Sequence, residues 1–262
     1  MPAELSFTRR GSGEPLVLIH GIGHRWQAWE PVLDRLAAVH DVIALDVPGF
    51  GASPVPPDGI PADLLATAAR FPALFARFGV ERPHVAGNSL GGAIALELAA
   101  AGQVASATVF SPAGFYTPAE RRRAMRILRI LRANSYLPEP LLRAAVRLPA
   151  VRALGFAPLV AHPGRLSPDR ALGDTLALRR GRGFRPVARA ARHYQFTGTP
   201  QVPVTIAWGT RDRVLRPRQA GRARERLPAA RHVALPDCGH VPMSDDPDLV
   251  ASVILTTTAR AR

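Results

Sequence analysis

Lysine is absent from this chain: all 34 basic residues among its 262 are arginine. A GC-rich genome produces that bias, so the arginine count by itself says little about partners. Cysteine occurs once, at Cys238, which excludes an internal disulfide framework and fits a reducing compartment. The first apolar run spans only residues 16–19, and no run has the length of an export signal or a membrane span. A cytoplasmic location is the expectation that follows. No paired His/Cys or His/Glu spacing suggests a metal, and no glycine-rich phosphate loop of the Walker or dinucleotide type is present. No metal and no cofactor is therefore expected. Aromatic residues make up only 6% of the chain. With no recognisable binding module either, nucleic acid is not an expected partner. What remains is a globular composition, 47% hydrophobic and 21% charged, in a chain long enough to bury a substantial core.

The formal net charge is +14, and it is unevenly spread. Residues 121–192 hold 17 arginines against three acids, Glu139, Asp169 and Asp174. The rest of the chain carries 17 arginines and 17 acids. The whole excess sits in one segment, and any account of function has to say what that segment is.

Outside it, short β-rich runs alternate with helical patterns, the signature of a largely parallel sheet with helices on both faces. Strands are predicted at 5–9, 16–20, 42–46, 84–87, 105–110, 202–208 and 232–235. Several are near-continuous apolar runs, as strands covered on both faces require. Helices are predicted at 26–39, 61–78, 89–101, 218–227 and 246–256, with Pro72 kinking the second. Between about Phe115 and Thr197 the β pattern gives way to four amphipathic stretches, at 118–134, 139–148, 168–180 and 184–196. The expected fold class is α/β. A mostly parallel sheet flanked by helices occupies residues 1–114 and 198–262, and an all-helical cap, residues 115–197, is inserted late in the sheet.

The strongest local pattern is Gly87-Asn88-Ser89-Leu90-Gly91, preceded by a predicted strand and followed by a predicted helix. A serine at a tight strand-to-helix turn takes a strained backbone, and glycines two residues to either side relieve the crowding. The turn lifts the hydroxyl above the C-terminal edge of the sheet, beside a helix N-terminus that favours developing negative charge. Ser89 is the candidate nucleophile. A serine hydroxyl needs a base, and the base needs an orienting acid. Asp212 follows the strand at 202–208 and His240 the strand at 232–235, so both fall on loops at the same sheet edge as Ser89. Asp237 stands too near His240 in sequence to orient its ring, and Asp245 and Asp246 read as charges opening the last helix. His40, His84 and His232 start strands and read as structural or solvated.

Together these residues resemble the α/β-hydrolase superfamily, in its serine esterase and lipase-like branch, over nearly the full length of the chain. The resemblance implies Ser89 as nucleophile, Asp212 as acid and His240 as base. His20-Gly21-Ile22-Gly23 is similar to the family's oxyanion loop. That likeness implies that the backbone N–H groups of Ile22 and Leu90 stabilise the tetrahedral intermediate, with His20 supporting the loop. Asp46-Val47-Pro48-Gly49-Phe50-Gly51 resembles a structural turn of the family, fixed by Asp46. Some relatives carry the acid one strand earlier, where this chain has Ser111-Pro112-Ala113-Gly114 and no acid. Relatives similar to dehalogenases and epoxide hydrolases carry Asp at the position of Ser89. Serine there implies an acyl-enzyme instead.

In this family the helical insert covers the active site. That makes His24, Asn88, Met125, Leu128, Leu131 and Val241 candidates for the pocket wall, with Leu137, Leu141, Phe156 and Phe184 beside them. Ala124, Ile127, Leu128 and Leu131 form one apolar stripe on the first cap helix, and arginines cover the rest of it. Three uses of those arginines stay open: a solvated face, recognition of an anionic substrate group, and peripheral contact with an acidic membrane. The expected activity is hydrolysis of a small to medium, largely apolar carboxylic ester by a monomer or homodimer. A C–C bond hydrolase of aromatic catabolism stays open too, because Gly87-Asn88-Ser89-Leu90-Gly91-Gly92 resembles that group. Its members carry Trp directly after the base, however, and this chain has Val241. A cofactor-free perhydrolase would use the same triad. A binding module with a vestigial triad is disfavoured, since the oxyanion elements are intact as well.

Overall fold

The structure, a computed structural model, describes residues 5–261; residues 1–4, where the expectation of a missing export signal begins, and residue 262 lie outside the described residues. Its strands are Phe7–Arg10 (β1), Glu14–Ile19 (β2), His40–Leu45 (β3), His84–Asn88 (β4), Ser106–Phe110 (β5), Val204–Gly209 (β6) and Arg231–Leu235 (β7). They form one sheet in the order β1-β3-β2-β4-β5-β6-β7. β1 runs antiparallel to β3, and every other neighbouring pair is parallel.

The apolar run in β2 shows why the strands carry so few polar residues. Side chains alternate between the faces of a strand, and here both faces are covered. Val17 and Ile19 join one buried cluster, with Ile43, Leu45, Val85 and Val109. Leu16 and Leu18 join the other, with Val42, Ala44, Ala86 and Phe110. The first face is roofed by Leu64–Ala68 (α2), Phe71–Arg77 (α3), Leu90–Ala100 (α4) and Arg218–Arg226 (α10), the second by Glu30–Ala37 (α1) and Pro247–Ala259 (α11).

Two helices predicted as continuous are broken. The stretch 26–39 starts as a single 3₁₀ turn, Trp26–Trp29, and becomes α-helical only at Glu30, with Pro31 in the first turn. Proline lacks the N–H that a helix interior needs, so it starts helices more readily than it continues them. Pro72 acts likewise. The stretch 61–78 ends one helix at Ala68 and begins another at Phe71, instead of kinking.

Between β5 and β6 the chain forms Pro118–Asn134 (α5), Glu139–Ala145 (α6), Pro149–Phe156 (α7), Pro168–Arg180 (α8) and Phe184–Ala190 (α9). Thr117 and Glu120 cap α5 reciprocally, the Thr117 N–H donating to the Glu120 carboxylate at 2.7 Å. α7 is an addition to the four helices expected here, and α9 is shorter than its predicted span. The insert packs on the sheet side through Ala124, Leu128, Phe184 and Val187. It also holds a small core of its own, Leu142, Val146, Ala171, Leu172 and Leu176.

Candidate active site

Ser89 is the residue at which β4 turns into α4, and its backbone is in the left-handed region at φ +55°. A non-glycine residue held there is strained, and such strain persists only where its surroundings enforce it. Close chain crossings do so here. A Cβ on Gly87 would lie 2.2 Å from the Gly91 carbonyl oxygen, and one on Gly91 would lie 2.1 Å from that of Ile19. The Ser89 N–H donates to the Phe110 carbonyl at 2.9 Å, fastening the turn to β5. Leu90 opens α4, so its N–H lacks an intrahelical acceptor and points out of the helix N-terminus.

Asp212 and His240 meet across two loops, with His240 Nδ1 to Asp212 Oδ2 at 2.8 Å. The other carboxylate oxygen accepts from the N–H groups of Val214 (2.8 Å) and Leu215 (2.9 Å). Both side chains are buried. Three donors on one carboxylate fix its orientation and compensate for its burial. Asn88 ties the serine turn to the histidine loop, donating to the carbonyls of His240 (2.8 Å) and Phe110 (3.1 Å). Asp237 is exposed and pairs with Arg211. Asp246 caps α11, as expected, but Asp245 does something else. Its carboxylate accepts from the N–H groups of Gly239 (2.7 Å), Ala161 (3.0 Å) and His162 (2.8 Å), so it holds the histidine loop against the insert.

The loop after β2 is braced from two sides. His20 is fully buried between Gly21 and Val47: its Nδ1 donates to the Gly21 carbonyl at 2.7 Å and its Nε2 accepts from the Val47 N–H at 3.0 Å. Burial pushes its pKa down, in keeping with a neutral ring. Asp46 holds the adjoining turn through the N–H groups of Trp26 (2.6 Å) and Ala52 (2.8 Å). On the other side stands α8. A Cβ on Gly23, at φ +76°, would lie 2.4 Å from Leu178, and one on Gly173 would lie 2.2 Å from the Arg25 guanidinium. Arg25 pairs with Asp174 at 3.0 Å and Arg170 with the same carboxylate at 2.8 Å. Burial opposes ionisation of Asp174, but a charged His24 and the guanidinium groups of Arg170 and Arg25 hold it below the usual carboxylate range. His24 lies 3.8 Å from Asp174, and burial pushes its pKa down to about 4 despite that neighbour.

These pieces surround one cavity of about 570 Å³. Ser89, Asn88, His240 and Val241 line it from the sheet side, and Ile22 and His24 from the braced loop. Gly21 comes so near Ser89 that a Cβ there would lie 3.3 Å from the serine Cβ. The insert closes the cavity with mostly apolar side chains, among them Leu128, Leu131, Leu137, Phe156 and Leu178. Met125 does not line it; one turn before Leu128, it borders a shallow groove on the outer face of α5. Leu141 and Phe184 do not line the cavity either; Leu141 is exposed, and Phe184 is buried under the Arg132 guanidinium. Asp174, Thr175 and Arg152 are polar lining residues that sequence reasoning missed. An acid in an arginine-rich helix was the only local sign of Asp174. Cys238, two residues before His240, is no rival nucleophile: burial, aided by nearby carboxylates, pushes its thiol up to about 12. Among the described residues no group of three or more His, Cys, Asp or Glu side chains is gathered for a metal ion.

The chain is 31% identical to an uncharacterised protein of Mycobacterium bovis, over 96% of this chain and 78% of that one. It is 30% identical to Lipase 3 of a Moraxella species, over 88% of this chain and 73% of the lipase. Among solved structures, an esterase from a Rhodococcus species superposes with a TM-score of 0.72 at 27% identity, covering 100% of this chain and 99% of the esterase. Residues 16–253 match the sequence profile of the alpha/beta hydrolase family, and the chain belongs to that family.

Proposed function

We propose that the protein is a serine hydrolase that cleaves a small to medium, largely apolar carboxylic ester through an acyl-enzyme. One observation carries this reading: the strained Ser89 and His240, the latter held by Asp212, line the same, mostly apolar cavity. The Rhodococcus esterase and the Moraxella lipase support the choice of an ester.

In this reading Ser89 Oγ attacks the ester carbonyl while His240 takes its proton. Asp212, bonded to Nδ1, orients the ring, leaves Nε2 for the serine and stabilises the imidazolium. The N–H groups of Ile22 and Leu90 hold the developing oxyanion. His240 then protonates the departing alcohol. Water, deprotonated by the same ring, attacks the acyl-enzyme and releases the acid with Ser89 restored. The helices α5–α9 act as a lid that keeps bulk water from the acyl group. A C–C bond hydrolase acting on an anionic diketo acid is the second reading. It is favoured by Arg152, a buried cation in the cavity wall.

A fluorophosphonate probe followed by nitrophenyl esters of rising chain length tests the first reading. Wild type is expected to be labelled and Ser89→Ala not, with turnover of the esters by wild type alone. Equal labelling of both, or none of wild type, overturns the serine mechanism. Turnover of a diketo acid in preference to every ester would select the second reading.

A further inference from the structure

The arginine excess has a location. A genome-wide preference for arginine over lysine acts on the whole chain, yet outside residues 121–192 arginines and acids balance at 17 each. What distinguishes that segment is its shortage of acids, and two of its three acids are already engaged. Glu139 pairs with Arg143 and Arg180 inside the insert, and Asp174 with Arg170 and Arg25. Arg122, Arg126 and Arg129 on α5, and Arg185, Arg189 and Arg192 on and just after α9, are exposed. None of these six side chains makes a hydrogen bond or ion pair among the described residues. Arg121 and Arg129 border both the outer groove of α5 and the groove between α5 and α9, so the cations form one continuous strip.

That strip adjoins the entrance to the active-site cavity. Ile130 borders both the outer groove of α5 and the cavity. Ile130, Leu137, Val151 and Leu154 line the cavity and yet are 53%, 51%, 41% and 82% exposed, which makes them its rim. Apolar side chains of this size standing in water beside unpaired cations need a surface that offers hydrocarbon and negative charge together. A nucleic acid would neutralise the arginines but leave the rim wet. No helix among the described residues is long and apolar enough to cross a membrane, so the contact is one of lying on the surface.

We infer that the α5–α9 face docks on an anionic lipid surface, with the cavity rim in the headgroup region. The arginines bind lipid phosphates and the rim residues enter the acyl boundary, so an ester passes from the lipid phase to Ser89 without crossing water. Only the identity of that ester rests on the hydrolase reading. Docking does not.

Co-sedimentation with vesicles separates the two. Ser89→Ala protein, in which turnover is removed, is mixed with vesicles of phosphatidylcholine or of phosphatidylcholine rich in phosphatidylglycerol. Binding is expected to the anionic vesicles only and to weaken with salt. Replacing Arg122, Arg126, Arg129, Arg185 and Arg189 together by Gln should weaken it by roughly a hundredfold or more. In the wild-type background the same five substitutions should leave hydrolysis of a soluble short-chain ester unchanged. Leu154→Ser should weaken vesicle binding without altering its salt dependence. Failure to bind anionic vesicles, equal binding to neutral ones, undiminished binding by the five-arginine variant, or tighter binding to a DNA or RNA homopolymer overturns the inference. Failure of wild type to hydrolyse any ester while vesicle binding persists would instead overturn the hydrolase reading alone.

Discussion

In the sheet core the acids around Ser89 have their oxygens assigned: Asp212 to His240 and two backbone N–H groups, Asp46 to Trp26 and Ala52, Asp245 to Gly239, Ala161 and His162. In residues 121–192, 17 arginines share three acids, and the strip on α5 and α9 has none. The contrast is between charge that builds a site and charge left for something outside. The few carboxylates at the boundary serve the first purpose too. Glu120 joins α5 to Arg218 and Arg222 of α10, Asp174 joins α8 to Arg25, and Asp245 joins the histidine loop to residues 161 and 162. The insert is stapled down by acids while the arginines of the strip face out.

The largest effect should come from striking the two regions in parallel. Ser89→Ala is expected to cost roughly 10⁴-fold or more in kcat/KM on a soluble nitrophenyl ester, and Asp212→Asn about 10⁴-fold, because an amide cannot hold His240 in the right tautomer. Gln at Arg122, Arg126 and Arg129 should change the same quantity by less than about twofold, since exposed cations without partners support nothing in the fold. A loss from the arginine variants comparable to that from Asp212→Asn would abolish the distinction.

The staples give the next effect. Asp174 lies between Arg25 and Arg170 with a side chain only 10% exposed, so Asp174→Asn leaves Arg25 without its counter-charge and Arg170 with Glu30 alone. A loss of about 3 kcal/mol in unfolding free energy is expected. Because α8 touches the loop that carries Ile22 through Gly23 and Arg25, kcat should fall as well, by about tenfold, with KM changed less. Arg25→Gln should give most of the same loss, and the double variant much less than the sum, since the two residues form one interaction. Lost stability with kcat untouched would mean that α8 walls the pocket without positioning the loop.

Legibility followed the range of the interactions involved. α5 and α8 begin and end where the sequence predicts, because their signals are local: Thr117 and Ser167 at the N-caps, each followed by proline in the first turn. The loops bearing Ser89, Asp212 and His240 reach one edge of the sheet because strand order and direction alone dictate it. Asp174 and Arg25 are 149 positions apart, and Asp245 satisfies backbone N–H groups more than 80 positions away as well as its neighbour Gly239. No periodicity records such partners. α7 escaped notice because Val151 and Leu154 border the open cavity and do not form a packed stripe. Met125 shows the same limit at a finer scale: a stripe tells which residues share a helix face, not which wall that face will build.

The smallest effect separates the regions by acid. His24 sits where the insert closes over the core, and burial pushes its pKa down to about 4 from an ordinary value near 6.5. The unfolded chain therefore takes up a proton at a higher pH than the folded one. Stability falls as pH drops from 6.5 towards 4 and levels off below. At 1.36 kcal/mol per unit of displacement, the loss attributable to this ring between pH 7 and 4.5 is about 2 kcal/mol. His24→Gln has no proton to take up, so its unfolding free energy should fall less over that interval. Asp174 contributes little there, since its lowered pKa delays its own loss to still more acid conditions. Arg122, Arg126 and Arg129 have no carboxylate partner among the described residues for acid to neutralise. Gln at Arg122, Arg126 and Arg129 should therefore give a pH profile parallel to wild type, and chemical denaturation at both pH values reads the difference. Parallel profiles for His24→Gln and wild type would place the acid sensitivity in the core, away from the seam between the two regions.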